Sequence, residues 1–132
     1  PTGNRVEELV IAELQNRKDA IKKSGIEIAM MSFSWFAIEK IKKMDPTIKT
    51  VMLLGDLTNK MSRRFTSAQV IGPSVEMIKK SPELVTDVKK SGKELYVWTV
   101  DSTEDLQYCA SVGVDVVMTN RPAHARSVLG YS

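Results

Sequence analysis

The stretch ELYVWTVDSTEDLQYCASVGVDVVMTNRP, residues 94–122, holds two almost continuously apolar segments with a helix pattern between them. The apolar segments predict strands from Glu94 to Val100 and from Val114 to Thr119. Neither segment alternates polar and apolar residues, which is typical of strands covered on both faces, as in parallel sheets. The order therefore predicts a βαβ unit with two parallel strands.

The same alternation extends to the rest of the chain. Further strands are predicted at Ile26 to Met31, Thr50 to Leu54 and, more weakly, Gln69 to Gly72. Helices are predicted from Arg5 to Lys23, Ser34 to Met44, Ser81 to Ser91, Ser102 or Thr103 to Gly113, and Pro122 to Leu129. Their ends carry capping signals, such as the pair Asn4 and Glu7, the Pro82 that follows Ser81, and Gly25 and Gly113.

Five strands alternating with helices predict an α/β fold with a parallel sheet. One form of such a fold is a small open sheet, which binds ligands where its strand order reverses, often through a Gly-rich phosphate loop. The chain contains neither G-x-G-x-x-G nor G-x-x-x-x-G-K-[ST]. A nucleotide site of those kinds is therefore not expected.

The composition of the chain limits the classes of molecule that it is expected to bind. The chain has 132 residues, 42% hydrophobic and 27% charged, and a net charge of +3. This length suits one globular domain. Lysine pairs lie where helices are expected to end, so they predict solvated helix ends rather than a nucleic-acid surface. The lone Cys109 excludes an intramolecular disulfide, and the chain carries no apolar run of membrane-helix length. Membrane attachment and compartment are left open.

Several motifs in order resemble one known family. Tyr96-Val97-Trp98-Thr99-Val100-Asp101, then Gly113-Val114-Asp115, then Met118-Thr119-Asn120-Arg121-Pro122 are similar to the C-terminal signature of the glycerophosphodiester phosphodiesterase family. In that family a strand ending in V-W-T-V-N precedes a short helix, and G-V-D-G-I-I-T-D-R-P closes the barrel. Further matches are Ser32-Phe33, Met44-Asp45-Pro46, Ile71-Gly72-Pro73 and Ser81 to Val85, so the resemblance covers essentially the whole chain.

The resemblance implies an α/β fold made of the C-terminal five β/α units of a TIM (β/α)8 barrel, with parallel strands and an incomplete barrel. Residues 1–132 would then form a single partial domain. The sequence departs from the family pattern at two positions. Asp101 stands where the family has Asn, and Asn120 stands where it has Asp. Both changes are near-isosteric, and we expect them to affect loop hydrogen bonds more than the fold.

The chemistry that the resemblance implies is the cleavage of glycerophosphodiesters to glycerol 3-phosphate and an alcohol, with a divalent metal, Ca or Mg, in the whole protein. The family's two catalytic histidines, E-x-D metal pair and E-x-K have no counterpart here. The residues present also indicate that the catalytic groups are missing, since phosphodiester hydrolysis needs a metal or a cationic clamp together with an acid and a base. His124 lies in the last helix, and Asp56 stands alone after a strand. We therefore expect no catalytic residue and no metal ligand in this chain, which alone should be inactive.

For substrate binding the resemblance points to Trp98, Phe33 and Ser32. Trp98 lies near the end of its predicted strand, and Ser32 and Phe33 follow theirs, at the expected barrel mouth. Trp98 would form an apolar wall against the glycerol part, with filling of a barrel layer as its alternative role. Arg63 or Arg64, in the long connection from Gly55 to Ala68, could meet an anionic group, although a solvated insertion is the favoured interpretation. Two other residues are expected to be structural: His124 at a helix end and Cys109 as buried filler.

A second function remains open, that of a non-catalytic half-barrel that assembles with itself or binds a partner chain. Truncating a closed barrel exposes the strand edges at Ile26 to Met31 and Val114 to Thr119. Such edges predict a homo-oligomer, or a second chain that supplies the complementing N-terminal part of the barrel. Pro1 is not an initiator Met, so residues upstream are expected to have been removed or not included.

Overall fold

A computed structural model of the chain describes residues 5–55 and 66–131. The strands in these residues are β1 Ala29–Ser32, β2 Lys49–Leu53, β3 Val70–Gly72, β4 Glu94–Val97 and β5 Val116–Val117. The helices are α1 Val6–Asn16, α2 Lys18–Ser24, α3 Trp35–Met44, α4 Val75–Lys80, α5 Glu83–Lys90, α6 Thr103–Val112 and α7 Pro122–Val128. No helix within these two ranges is both long and apolar enough to cross a membrane.

The five strands form one parallel sheet whose spatial order is the order along the chain. An open doubly wound sheet reverses its strand order at a switch point, whereas the strands of a β/α barrel follow one another around the axis. The described strands contain no reversal, which favours a segment of a barrel over a small open sheet. The predicted parallel pairing is confirmed.

The core lies between the helices and one face of the sheet. Its fully buried side chains include Ile38, Met52, Ile71, Ile78, Leu95 and Leu106. Successive residues of a strand point to opposite faces, so Val51 and Leu53 of β2 lie on the other face, here called the inner face. A Cβ atom added at Gly72 would lie 2.9 Å from Leu53 Cδ2 and 3.0 Å from Val51 Cγ1, so the backbone of β3 contacts this face closely.

A charged group lies at the start of β2. Lys49 Nζ is 2.7 Å from Glu27 Oε1 and 3.2 Å from Glu94 Oε1, and it donates to Tyr96 Oη at 3.4 Å. Hydrogen bonding to Glu27, and then to Glu94, raises the pKa of Lys49. This group is at the amino ends of the strands, opposite to the edge at which barrel enzymes place their chemistry.

Serine side chains begin three of the helices. Ser34 Oγ accepts a hydrogen bond from Ala37 N at 3.2 Å, Ser74 Oγ from Met77 N at 3.2 Å, and Ser102 Oγ from Asp105 N at 3.1 Å. Each bond satisfies a backbone donor in the first helical turn that has no partner within the helix. The predicted starts at Ser34 and Ser102 are confirmed, as is the end of α6 at Gly113, which adopts a left-handed φ of 78°.

The single helix predicted from Arg5 to Lys23 is wrong, because the structure divides it into α1 and α2 at Arg17. Arg17 N donates to both Glu13 O and Leu14 O, and its ψ of 11° leaves the helical range. Polar residues interrupt the apolar stripe at this point, so packing does not hold one continuous helix. The structure has Arg5 at the cap position with no side-chain cap bond, and the predicted cap Asn4 lies outside the described residues.

Helix α4 was not predicted, and it changes the start of α5. It spans only six residues after Pro73 and is too short for its apolar spacing to be read from the sequence. Ser81, predicted as the cap of the next helix, instead ends α4, its N–H donating to Met77 O at 3.0 Å. Helix α5 accordingly begins at Glu83, with Pro82 at its cap position.

The strands are shorter than or displaced from their predicted ranges. Strand β1 runs from Ala29 to Ser32 rather than from Ile26, and β5 is limited to Val116–Val117. Strand β4 ends at Val97 rather than Val100, and Trp98 adds a single parallel bridge to Ser74, in which its N–H donates to Pro73 O at 3.2 Å. The apolar runs therefore include the flanking loops that the sheet also buries.

Candidate functional site

The carboxyl ends of the parallel strands bring the predicted substrate-binding residues to one edge of the sheet. Trp98 follows β4 and is held to the loop after β3. Its backbone N–H donates to Pro73 O at 3.2 Å, its carbonyl accepts from Val75 N at 2.7 Å, and its indole Nε1 donates to Gly72 O at 2.7 Å. The peptide bond between Trp98 and Thr99 is cis. The ring is half-buried, so one part packs on the protein and another part remains accessible.

Phe33 contacts Trp98 although two strands separate β1 from β4. The two ring centroids are 5.7 Å apart and the ring planes are at 88°, an edge-to-face contact. Such aromatic pairs contribute about 0.5–1.5 kcal/mol beyond the area that they bury. Phe33 is 54% exposed. Together the rings form an aromatic wall, Phe33 and Trp98, at the carboxyl edge of the sheet.

Ser32 lies at the end of β1, next to the aromatic wall, but its hydroxyl takes part in a local turn. Ser32 Oγ accepts a hydrogen bond from Ser34 N at 3.0 Å, and Ser34 in turn caps α3. A hydroxyl can accept two hydrogen bonds and donate one, so the Ser32 O–H retains donor capacity. The structure thus gives Ser32 a role in the turn that carries Phe33.

A second cluster at this edge joins the loops after β4 and β5. Asp101 Oδ1 accepts from Asn120 N and from Thr119 Oγ1, each at 2.8 Å, and Asp101 Oδ2 accepts from Asn120 Nδ2 at 3.0 Å. Arg121 Nη1 is 3.4 Å from Asp101 O. The bonds from Asn120, followed by that from Thr119, hold the pKa of the Asp101 carboxyl below its ordinary value.

Two residues of this cluster, Asp101 and Asn120, are the positions at which the sequence departs from the family pattern. The departures at Asp101 and Asn120 were noted from the sequence, but their direct contact was not predicted. One feature of the sequence could have indicated this contact. The two departures are complementary, because one replaces an amide with an acid and the other replaces an acid with an amide. Their separation of 19 residues hides the contact until the loops are placed in space.

Two further sequence candidates, His124 and Cys109, lie away from the aromatic wall. His124 Nε2 is 3.1 Å from Thr103 Oγ1, so the histidine links the first turns of α7 and α6. Cys109 is fully buried in the core, as expected. Burial, together with the nearby Asp105 charge, raises the pKa of its thiol to about 11. Candidates in the long connection lie outside the described residues: Asp56, Arg63 and Arg64.

Within residues 5–55 and 66–131, no group of three or more His, Cys, Asp or Glu side chains is arranged to hold a metal ion. The described side chains therefore do not form a complete site for the divalent metal that the resemblance implies. The carboxyl edge of the sheet carries an aromatic surface beside the hydrogen-bonded loops after β4 and β5. Such an arrangement can bind and orient a ligand.

The fold defines a protein of the β/α-barrel class, with an aromatic surface at the carboxyl ends of its strands. The sequence matches the Glycerophosphoryl diester phosphodiesterase family over residues 2–124. The chain belongs to that family.

Relatives agree with this assignment. A "Probable glycerophosphodiester phosphodiesterase 1" of Mycobacterium tuberculosis is 34% identical over 107 residues, which cover 76% of this chain and 37% of that protein. A "Glycerophosphodiester phosphodiesterase" of Caldanaerobacter subterraneus subsp. tengcongensis is 33% identical over 107 residues, covering 78% of this chain and 43% of the relative. The chain thus spans less than half the length of these curated relatives.

Solved structures support the fold. A putative glycerophosphoryl diester phosphodiesterase from Silicibacter pomeroyi superposes with a TM-score of 0.78 at 22% identity, covering 96% of this chain and 44% of that one. An Oleispira antarctica phosphodiesterase in complex with the product sn-glycerol-3-phosphate gives a TM-score of 0.75 at 17% identity, covering 94% and 50%. The chain is therefore an α/β fold containing five β/α units of an incomplete TIM (β/α)8 barrel, as predicted.

Proposed function

We propose that this chain is the C-terminal part of a phosphoric diester hydrolase that cleaves glycerophosphodiesters to glycerol 3-phosphate and an alcohol. Its contribution is one wall of the substrate site. Family membership over residues 2–124 is the observation that carries the proposal. The position of the aromatic wall at the carboxyl edge of the sheet supports it, since barrel enzymes bind substrates at that edge.

In this proposal Trp98 and Phe33 contact the carbon atoms of the glycerol group. Their edge-to-face contact fixes the two rings relative to each other, and the bond from Trp98 Nε1 to Gly72 O fixes the indole relative to the sheet. A preformed apolar surface costs little to order when a ligand binds. Ser32 is proposed to assist through its O–H donor, next to the turn at Phe33.

The catalytic acid, base and metal ligands are proposed to come from residues that this chain does not contain. His124 is the one histidine in the sequence, and it contacts Thr103 rather than the aromatic wall. A divalent metal, Ca or Mg, is proposed to be held by that other part of the protein, where the family resemblance places the E-x-D pair. The chain by itself is expected to bind no metal and to be inactive.

The test compares the chain alone with the protein extended by the coding sequence upstream of Pro1. We expect the extended protein to hydrolyse glycerophosphocholine in the presence of Ca²⁺ or Mg²⁺, and the chain alone to be inactive. Turnover by the purified chain alone would contradict the assignment of catalysis to the other part. An extended protein without phosphodiesterase activity on any glycerophosphodiester would contradict the proposed function.

A variant of the extended protein tests the aromatic wall. Trp98→Ala should raise the KM for glycerophosphocholine roughly five- to tenfold, equivalent to about 1–1.4 kcal/mol, with a smaller change in kcat. Tyr131→Ala is the matched control, because Tyr131 is a 67% exposed aromatic residue beyond the end of α7. Equal KM values for Trp98→Ala and the unchanged protein would remove Trp98 from the substrate site.

A second candidate function is a non-catalytic half-barrel that assembles with itself or binds a partner chain. The observation that favours it is the pair of outer strands, since β1 pairs only with β2 and β5 only with β4 among the described residues. Met31 and Val116 on these strands are 45% and 39% exposed. The homo-oligomer, the complementing barrel part and the absence of nucleic-acid binding remain predictions.

A further inference from the structure

The carboxylate of Asp101 connects the loops after β4 and β5 just beyond the backbone bond from Val100 N to Met118 O. Among the described residues its side chain accepts hydrogen bonds from the Asn120 amide, the Asn120 backbone N–H and the Thr119 hydroxyl, which belong to the loop after β5. Thr119 Oγ1 also accepts from Arg121 N at 3.0 Å, so the hydroxyl is oriented from both sides. One carboxylate thereby orders the backbone from Thr119 to Arg121.

The loop that carries Asp101 also carries Trp98. Trp98 is tied to the loop after β3 by three hydrogen bonds, and Val100 N donates to Met118 O at 2.9 Å. The segment from Trp98 to Asp101 is therefore fixed at its first residue toward β3 and at its last residue toward β5. Loss of the Asp101 contacts would leave the β5 end of this short segment held by the single backbone bond from Val100 to Met118, a weaker constraint on the loop that carries the indole.

We propose that Asp101 and Asn120 form an acid–amide pair that positions Trp98 for substrate binding. The role in binding rests on the proposed function, whereas the pair itself rests on the contacts described here. Asp101 is a positioning residue, because it acts on the ligand surface through the loop and does not form that surface. The pair extends the substrate site to residues on the loop after β5.

The chemistry of the pair demands one acid and one amide. Two amides retain the shape but lose the charge-assisted hydrogen bonds, which are the stronger kind. Two carboxylates within about 3 Å of each other repel, and one must bind a proton. Exchanging the two residues keeps one acid and one amide, with the Nδ2 donor on the opposite loop. The exchanged pair is also the arrangement that the family pattern carries at these two positions.

The test is a double-mutant cycle on the full chain with Asn120→Asp, Asp101→Asn and both together, all in a Trp35→Phe background. That background leaves Trp98 as the only indole, because the chain has two tryptophans. The first readout is the midpoint of thermal unfolding, and the second is the Trp98 indole N–H resonance in a ¹H–¹⁵N spectrum. The resonance reports the bond to Gly72 O directly and does not respond to stability alone in a folded protein.

We expect Asn120→Asp to lower the unfolding midpoint by roughly 5 °C or more and to shift or broaden the indole resonance. Adding Asp101→Asn should recover at least half of both changes. If Asn120→Asp does not fold, recovery of a folded chain by the double exchange is the supporting result. Additive effects, an unshifted indole resonance in Asn120→Asp, or a double exchange that does not fold would each overturn the pair.

Kinetics of the extended protein separate this inference from the proposed function. Asn120→Asp should raise the KM about as much as Trp98→Ala does and leave kcat nearly unchanged. Adding Asp101→Asn should return the KM toward its original value. If Trp98→Ala raises the KM while Asn120→Asp does not, the positioning role fails and the proposed function stands. If the extended protein lacks phosphodiesterase activity, the proposed function fails, and the resonance of Trp98 still decides whether the pair positions the ring.

Discussion

Cys109 is fully buried against the core, and its pKa of about 11 leaves little thiolate at neutral pH. The thiolate is the species that attacks disulfide reagents. We expect the folded chain not to react with Ellman's reagent at pH 8, and one thiol per chain to react in urea. Because the chain has one cysteine, the absorbance change reports this residue alone. Prompt stoichiometric labelling of the folded chain would contradict the buried position.

Asp101 should make the stability of the chain sensitive to acid. Its pKa is lower in the folded chain than its ordinary value, so the unfolded chain binds the proton first as the pH falls. The stabilising contribution is present above about pH 4, the ordinary aspartate pKa, and is lost as the pH falls through the folded value. The difference in unfolding midpoint between the unchanged chain and Asp101→Asn should therefore narrow from pH 6 to pH 3. A constant difference would argue against the charge-assisted bonds.

At the residue scale, the sequence predicted which residues lie at the carboxyl edge of the sheet better than it predicted their hydrogen-bond partners. The resemblance selected Trp98 and Phe33, and the structure brings their rings into contact. The hydrogen bonds between Asp101 and Asn120 could not be predicted, because they depend on how two loops leave neighbouring strands. The bond from Ser32 Oγ to Ser34 N was likewise hidden, since a hydroxyl after a strand can serve a turn or a ligand equally well.

Helix α6 depends on its serine cap. Ser102 Oγ accepts from Asp105 N, which otherwise lacks a partner within the helix. Ser102→Ala should lower the free energy of unfolding by about 1 kcal/mol, measured by urea denaturation. Ser111→Ala is a control on the same helix. Its hydroxyl bonds back to Tyr108 O, so its removal should cost less than about 0.5 kcal/mol. Equal losses in the free energy of unfolding for the two changes would show that the Ser102 cap contributes no more than an ordinary surface hydroxyl.

Strand β3 packs on β2 without room for a side chain at Gly72. An alanine there would place its Cβ 3.0 Å from Val51 Cγ1 and 2.9 Å from Leu53 Cδ2. Gly72→Ala should therefore destabilise the chain by about 1–3 kcal/mol. The cost should be smaller in a Leu53→Ala background, where one of the two contacts is removed. A cost that is unchanged by Leu53→Ala would place the strain elsewhere.

At the element scale, local signals predicted starts and ends where a side chain or a backbone conformation marks them. Ser34, Ser102 and Gly113 have such signals, and the structure agrees with each. Helix α4 escaped prediction because six residues hold too few apolar positions to show a period. The division at Arg17 escaped prediction because the polar residues that interrupt the apolar stripe there include no glycine or proline to mark a helix end.

The whole molecule exposes apolar strand edges. Met31 on β1 is 45% exposed, and Val116 on β5 is 39% exposed. Outer strands with free backbone groups pair with other strands when they can. We expect light scattering to give a mass above the 14.7 kDa of one chain. A monomer at every concentration would contradict the homo-oligomer and leave a complementing partner chain as the remaining form of the alternative function.

A charged residue on the outer strand tests where the association occurs. Met31→Lys should shift the chain toward the monomer, because a lysine on an edge strand disfavours pairing with another chain. Ile26→Lys is the matched control, since Ile26 is 64% exposed but precedes β1. If both changes dissociate the oligomer equally, the contact extends beyond the strand edge.

The sequential order of the five strands also bears on how the chain acquires its shape during translation. Each strand pairs with the one that leaves the ribosome just before it, so no unit has to wait for a distant segment. Such sequential pairing keeps the contact order of this parallel sheet lower than a rearranged strand order would. We expect the units to add one at a time to the edge just completed, so that β4, which precedes Trp98, joins a sheet that already contains β1, which precedes Phe33.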